Sequence, residues 1–259
     1  MFQAERLHVH VPFRLLLGKY LPFVLKHRLN PEISFDFQSL AEFSQEEFKL
    51  VAEELLTHGL SVTFHAPFMD LRPGAVDPQI RTVSLRRIEE VLSLAPLFRP
   101  RGVICHPSFD RRYYVSTEEL WLKYSIETWE YLAHKAENLG TVIVLENVYE
   151  HVPSVLTRIF HRIPSPALKF CFDTGHYNVF SEAPLEEWIQ ELGAFLCEVH
   201  LHDNGGKLDE HKCIGAGTFP FEGFFALLRK GGLRPILTLE THREEDLWPS
   251  ISALERWCL

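Results

Sequence analysis

The chain has 259 residues, 46% of them apolar, and a formal net charge of −9. That length and apolar share suit one large domain with a sizeable core, and no apolar run is long enough to span a bilayer. The acidic balance argues against a dedicated nucleic-acid binder, although a local basic patch or a bound cation can reverse the field at one site.

The pattern alternates strand and helix from end to end. Strands are expected over Leu7 to Val11, Glu32 to Phe37, Leu60 to Phe64, Gly102 to Cys105, Thr141 to Leu145, Leu168 to Phe172, Phe195 to Leu201 and Pro235 to Leu239. Ser44 and Glu47 form a capping-box pair that opens a helix ending near Gly59. Asp77-Pro78 places an N-cap before a proline at the first helical position. Ser116 and Glu119 repeat the capping box, and that helix runs to Gly140. Ala183-Pro184 and Pro220 open two more, Gly231-Gly232 closes the second, and Glu244 to Trp257 reads as a final amphipathic helix. Such alternation predicts an α/β fold, a single-domain (β/α)8 TIM barrel over residues 1–259. An open doubly wound sheet is the rival. It lacks its dinucleotide signature here, because His10-Val11-Pro12-Phe13 follows the first strand where a glycine-rich turn belongs.

Cys105, Cys171, Cys197, Cys213 and Cys258 are odd in number, widely spaced and without a Cys-x-x-Cys pair. They read as free thiols in a reducing compartment. The opening Met-Phe-Gln-Ala-Glu-Arg-Leu-His lacks the features of a signal peptide, so the expected location is the cytoplasm, with no membrane partner.

Six of the apolar runs end on a residue that can bind a metal: His65, His106, Glu146, Asp173, His200 and Glu240. In a barrel, strand ends and the loops after them share one mouth. Three imidazoles and three carboxylates facing one another there repel or go unpaired unless a cation lies between them. The loops add His176, three residues after Asp173 with Gly175 permitting a tight turn, and the pair Asp209 and His211, which share a side if their loop is extended. Singly, each is an ordinary polar residue, and Glu146 with Glu240 alone could serve as acid and base without metal. Together they indicate a metal site, and the imidazole and carboxylate mix suits zinc, manganese or iron more than calcium.

These residues carry a resemblance. His65-Ala-Pro-Phe, His106-Pro, Leu145-Glu146-Asn147, Phe172-Asp173-Thr-Gly-His176, His200-Leu-His-Asp203, Asp209-Glu-His211 with Gly215-Ala-Gly217, and Leu239-Glu240 are similar to motifs of the xylose-isomerase-like TIM-barrel superfamily. That superfamily includes the endonuclease IV (AP endonuclease family 2) enzymes and the sugar isomerases and epimerases, and the resemblance spans nearly the whole chain. For an epimerase it implies one metal on Glu146, Asp173, His200 and Glu240. For an endonuclease IV it implies up to three, zinc first among them. The first would sit on His65, His106 and Glu146, and the second on Glu146, Asp173, His200 and Glu240. The third would take His176, Asp209 and His211. Every position carries the expected residue type, which favours the trinuclear, hydrolytic branch.

The resemblance thus implies a metal-dependent phosphoesterase with Glu146 and Glu240 catalytic. Metals roughly 3.5–4 Å apart stabilise phosphoryl charge and yield hydroxide at neutral pH, and Glu146 would also orient the attacking water. The substrate would be a small nucleotide-like phosphodiester, such as a cobamide nucleotide loop, or abasic DNA. A sugar or sugar-phosphate isomerase or epimerase with a single metal is the alternative, and a non-catalytic metal-bound protein ranks last. Candidate substrate contacts are Arg111, Arg112 and Tyr113, in a loop that also holds Phe109 and Tyr114, together with Arg243, Phe68 and His10. Phe68-Met69 could wedge into a base stack, although apolar residues in such a loop more often cap the barrel mouth. His202 and Asp203 read as supports for the ligands, and none of His8, His10, His202 and His242 is expected to be a ligand itself. No basic stripe suited to a tract of DNA backbone is present, so a small phosphorylated molecule is the expected partner.

Overall fold

A computed structural model describes residues 6–257; the sequence features at Met1–Glu5 and Cys258 lie outside the described residues. Eight parallel strands close in sequence order. They are β1 (Leu7–Pro12), β2 (Asn30–Ser34), β3 (Thr63–His65), β4 (Val103–Cys105), β5 (Ile143–Glu146), β6 (Leu168–Asp173), β7 (Leu196–Leu201) and β8 (Ile236–Leu239). The fold is a (β/α)8 TIM barrel. Cys105, Cys171, Cys197 and Cys213 are free, and no helix among the described residues is long and apolar enough to cross a membrane.

Alternate residues of a strand face opposite sides of the sheet. Phe64, Leu145, Phe170, Phe172, Val199, Leu201, Leu237 and Leu239 join the large apolar cluster between sheet and helices, with Val51, Ile88, Trp129, Ile159, Trp188 and Phe224. Burial stabilises each such side chain by roughly 1.5–3 kcal/mol. The other set faces inward. It includes a small apolar group, Ile104, Val144 and Cys171. It also includes His8, Glu32, Thr63, Glu198 and Thr238, all fully buried. Barrel interiors are ordinarily filled by branched aliphatic residues, so this polar interior is a departure.

The capping signals hold at Ser44, whose hydroxyl takes the Glu47 N–H, and at Asp77, which takes the Gln79 N–H before Pro78. Three expectations are corrected. The second strand stops at Ser34, because the Asp36 carboxylate takes the Ser39 N–H and turns the chain into a helix over Phe37–Glu42. The third strand begins only at Thr63, since the Leu60 N–H closes the preceding helix on the Leu55 carbonyl at 3.0 Å. The long helix Glu118–Asn138 is capped at Thr117 without a side-chain bond, and Ser116 with Glu119 forms no capping box. Glu118 and Glu119 turn instead to Arg158.

Candidate metal centre

The mouth of the barrel collects the strand-end residues. Glu146 closes β5 and Asp173 closes β6, while His65 ends β3 and His200 is the penultimate residue of β7. His106 and Glu240 lie just past β4 and β8. Glu146 is central. Its Oε2 lies 3.3 Å from His65 Nε2, 3.2 Å from His106 Nε2 and 3.6 Å from His200 Nδ1, and its Oε1 lies 3.0 Å from His176 Nδ1. His200 Nδ1 stands 3.3 Å from Glu240 and 3.8 Å from Asp173.

The loops supply a further group. Asp173 caps a short helix over Thr174–Phe180 by accepting the His176 N–H at 2.6 Å. A helix therefore stands where a tight turn was expected, and Gly175 has a different function. A Cβ there would lie 1.9 Å from the His202 ring, so the missing side chain lets that ring pack against the helix. Asp203 folds the following loop. Its carboxylate accepts N–H bonds from Asn204, Gly215, Gly217 and Phe219. The loop returns Asp209 and His211 to the mouth. Asp209 Oδ2 lies 3.3 Å from His176 Nε2 and 3.1 Å from His211 Nε2. The two face each other although the backbone is not extended there: His211 has φ +48. Its Nδ1 donates to the Glu240 carbonyl at 2.8 Å, and its ring stacks between those of His202 and His242.

Of the donor groups among the described residues that could hold a cation, three lie side by side at the mouth. These are His65, His106 and Glu146; Glu146, Asp173, His200 and Glu240; and His176, His202, Asp209 and His211. His106 Nε2, His200 Nδ1, His202 Nδ1 and Glu240 Oε2 are buried without a hydrogen-bond partner. Leaving such an atom unsatisfied costs about 1–3 kcal/mol. Four of them around imidazoles and carboxylates fit the donor requirement of divalent transition metals. Second bonds orient the rings: His65 Nδ1 meets the Ala66 carbonyl at 2.9 Å, which leaves Nε2 toward Glu146.

Protons on some of the imidazoles offset part of the negative charge in the site. Burial alone would raise the Glu146 carboxyl, but His106 and His200 hold it well below the usual carboxylate range. Burial likewise works against a charged His176, which Asp173, Asp209 and Glu146 hold well above the usual histidine range. For His106 burial prevails over Glu146, and its imidazole is depressed. A bound cation would take the place of these protons.

The surrounding residues are less uniformly gathered. His10 lies 3.9 Å from Glu240 and edge-on to His65. Phe68 covers the site, stacked on His106 at 4.5 Å, while Met69 is exposed. Phe109 and Tyr114 are buried against Trp121 and leave the rim. Tyr113 stays exposed under the Arg72 guanidinium. Arg111 pairs with Glu182, Arg112 with Asp110 and Arg243 with Glu245. Beside the mouth, β1 and β8 pair only as far as Val9 with Leu239. A cavity of about 790 Å³ flanks them, lined by His10, Lys19, Tyr20, His242, Arg243 and Trp248 among others.

Sequence reasoning missed Glu32 and Glu198, which lie under the site, with Glu32 Oε2 3.1 Å from His200 Nε2. The signal was spacing: Glu198 is two residues before His200 and therefore on the same strand face. Glu150 was missed too. It is buried and ties the β4 and β5 loops by accepting N–H bonds from Phe109 and Val148.

Among relatives, the chain is 28% identical to "Uncharacterized protein MJ1311" of Methanocaldococcus jannaschii, over 83% of this chain and 75% of that one. It is 23% identical to "Probable endonuclease 4" of Symbiobacterium thermophilum, over 75% of this chain and 77% of that one. A solved D-tagatose 3-epimerase-like protein superposes with a TM-score of 0.84 at 24% identity, covering 97% of each chain. Residues 31–257 match the family model described as xylose isomerase-like TIM barrel, and the chain belongs to that family.

Proposed function

We propose that the chain is a metal-dependent phosphoesterase that hydrolyses a phosphodiester of modest size. The observation that carries this reading is the third donor group. His176, His202, Asp209 and His211 converge beside Glu146, and a single-metal epimerase built on Glu146, Asp173, His200 and Glu240 has no need of them. The relative named "Probable endonuclease 4" supports the same branch. Up to three divalent cations, zinc foremost with manganese or iron as alternatives, would be held by the three groups. When bound, they neutralise charge on phosphoryl and leaving oxygens and acidify water. Glu146 keeps the groups in register. Glu240, a further carboxylate of the second group that lies at the open mouth, is the proposed acceptor of the proton from the attacking water.

A small phosphorylated substrate is favoured over DNA. Arg111, Arg112 and Arg243 are each paired to an acid at the surface, so these three do not form an open cationic track beside the mouth. The cavity of about 790 Å³ beside His10 suits a compact organic group.

The test is metal content per chain by elemental analysis, followed by assays on bis(p-nitrophenyl) phosphate, cobamides and an abasic duplex. Two or three equivalents and cleavage of a phosphodiester are expected, with His176→Ala and His211→Ala each losing one equivalent and the activity. One equivalent, with sugar epimerisation that survives both substitutions, would replace this reading with the epimerase one. That second reading draws on Glu146, Asp173, His200 and Glu240 forming a donor group by themselves.

A further inference from the structure

Below the donor groups the barrel holds a buried polar layer that neither activity employs. Glu32, Glu198 and His8 are inaccessible to solvent or nearly so. Glu198 Oε1 accepts the Thr238 hydroxyl and, at 3.3 Å, the Thr63 hydroxyl. His8 Nδ1 lies 3.1 Å from Thr63 Oγ1. Glu32, Glu198 and His200 present atoms within 4.8 Å of one another, and Glu32 Oε2 is 3.1 Å from His200 Nε2.

We infer that Glu32 is a positioning residue that accepts the Nε2 proton of His200 and thereby commits Nδ1 to the cation site. A neutral imidazole has one N–H and one lone pair. With an ionised carboxylate against Nε2, the proton belongs there, since the reverse tautomer would set a lone pair against Glu32 in a buried space. Nδ1 then carries the lone pair. It lies 3.3 Å from Glu240, 3.6 Å from Glu146 and 3.8 Å from Asp173, and no hydrogen bond satisfies it. Among three carboxylate oxygens Nδ1 needs a positive partner, and with Nε2 holding its proton a cation on the Nδ1 lone pair supplies one. In the layer beneath, the hydroxyls of Thr63 and Thr238 hold Glu198, whose carboxylate lies close to Glu32. Glu32 and Glu198 do not form a second cation site through the same ring, because Nε2 cannot give a lone pair while it carries the proton. Carboxylates that hold a ligating histidine this way commonly change metal affinity 10–100-fold when removed.

The inference rests on His200 holding a cation, which the phosphoesterase and epimerase readings share. The test is zinc affinity of the full chain by chelator competition, with long-range ¹H–¹⁵N correlation spectra of the zinc-loaded protein, His200 being assigned from a His200→Asn variant. In the parent, His200 is expected to bind through Nδ1 with a proton on Nε2. Glu32→Leu should lose roughly 10–100-fold in affinity for one zinc equivalent. Glu32→Gln, which keeps an acceptor oxygen, should recover most of it. Binding of His200 through Nε2 overturns the inference, as does a folded Glu32→Leu with parental affinity. Should Glu32→Leu not fold, the parent spectrum and Glu32→Gln decide alone. A parent that binds no zinc fails the metal reading itself, an outcome distinct from one in which zinc binds and Glu32 is irrelevant.

Discussion

Nδ1 of His176 lies 3.0 Å from Oε1 of Glu146, while Oε2 of the same carboxylate faces His65 and His106 at 3.3 and 3.2 Å. One side chain thus joins the outer donor group to the inner ones. Glu146→Gln replaces an oxygen by an amide nitrogen against an imidazole. It should lower hydrolysis at least about 100-fold and reduce the metal content of the purified chain by one or more equivalents. An active variant with full metal content would remove Glu146 from the site.

Metal binding should strengthen with pH. Burial disfavours a charged His211, but Asp209 and Glu240 retain its proton and raise it to about 9. Below that pH a cation must displace the proton to use the ring, so affinity at the third group should climb with pH and level off above about 9. Calorimetry in buffers of different ionisation enthalpy should show proton release on zinc binding at pH 7, and His211→Ala should release less. Equal release from both chains would assign the protons elsewhere.

Gly175→Ala should disturb the site without replacing any of its donors. The new Cβ would fall 1.9 Å from His202 Cε1, and His202 bonds Asp173 at 3.0 Å and stacks on His211 at 3.7 Å. The expected cost is about 1–3 kcal/mol in unfolding free energy, together with weaker binding of the third metal. A parental melting curve would mean that the helix at Thr174 gives way freely.

Glu150 should make stability depend on pH. Burial pushes it up to about 7 from the usual 4.5, against the N–H groups of Val148 and Phe109 that favour the anion. The folded chain therefore holds this proton more tightly than the unfolded one. The stabilisation is complete below pH 4.5 and lost as pH rises through about 7. Glu150→Gln removes the proton exchange, so urea unfolding of the metal-free protein should show the variant gaining on the parent over that range. Each tenfold difference in proton affinity between the folded and unfolded chains contributes roughly 1.4 kcal/mol to that gain. A constant difference between the two chains would place Glu150 in water.

The barrel and its ring of donors were legible because both depend on local order. A strand that ends on His65, Glu146 or Asp173 delivers that side chain to one rim whatever the details of packing, and closure then brings the rims together. The capping signals at Ser44 and Asp77 were readable for the same reason, since donor and acceptor lie within three residues. At Ser116 the local signal lost to Arg158, about forty residues away, which draws off both glutamates.

What the chain alone determined is therefore the fold class and the residue types available at the mouth. Tertiary structure decided which of them are shared, supported or already spoken for. Inward or outward facing at Glu32 and Glu198 depends on closure of the sheet, and the Glu32 carboxylate reaches His200 across 168 positions of sequence. The use of Gly175 depends on where His202 lands, and the pairing of Arg111 with Glu182 on how two separate loops approach. Hydrogen bonds and ion pairs act over a few ångströms, and only the closed barrel brings residues so distant in sequence within that reach.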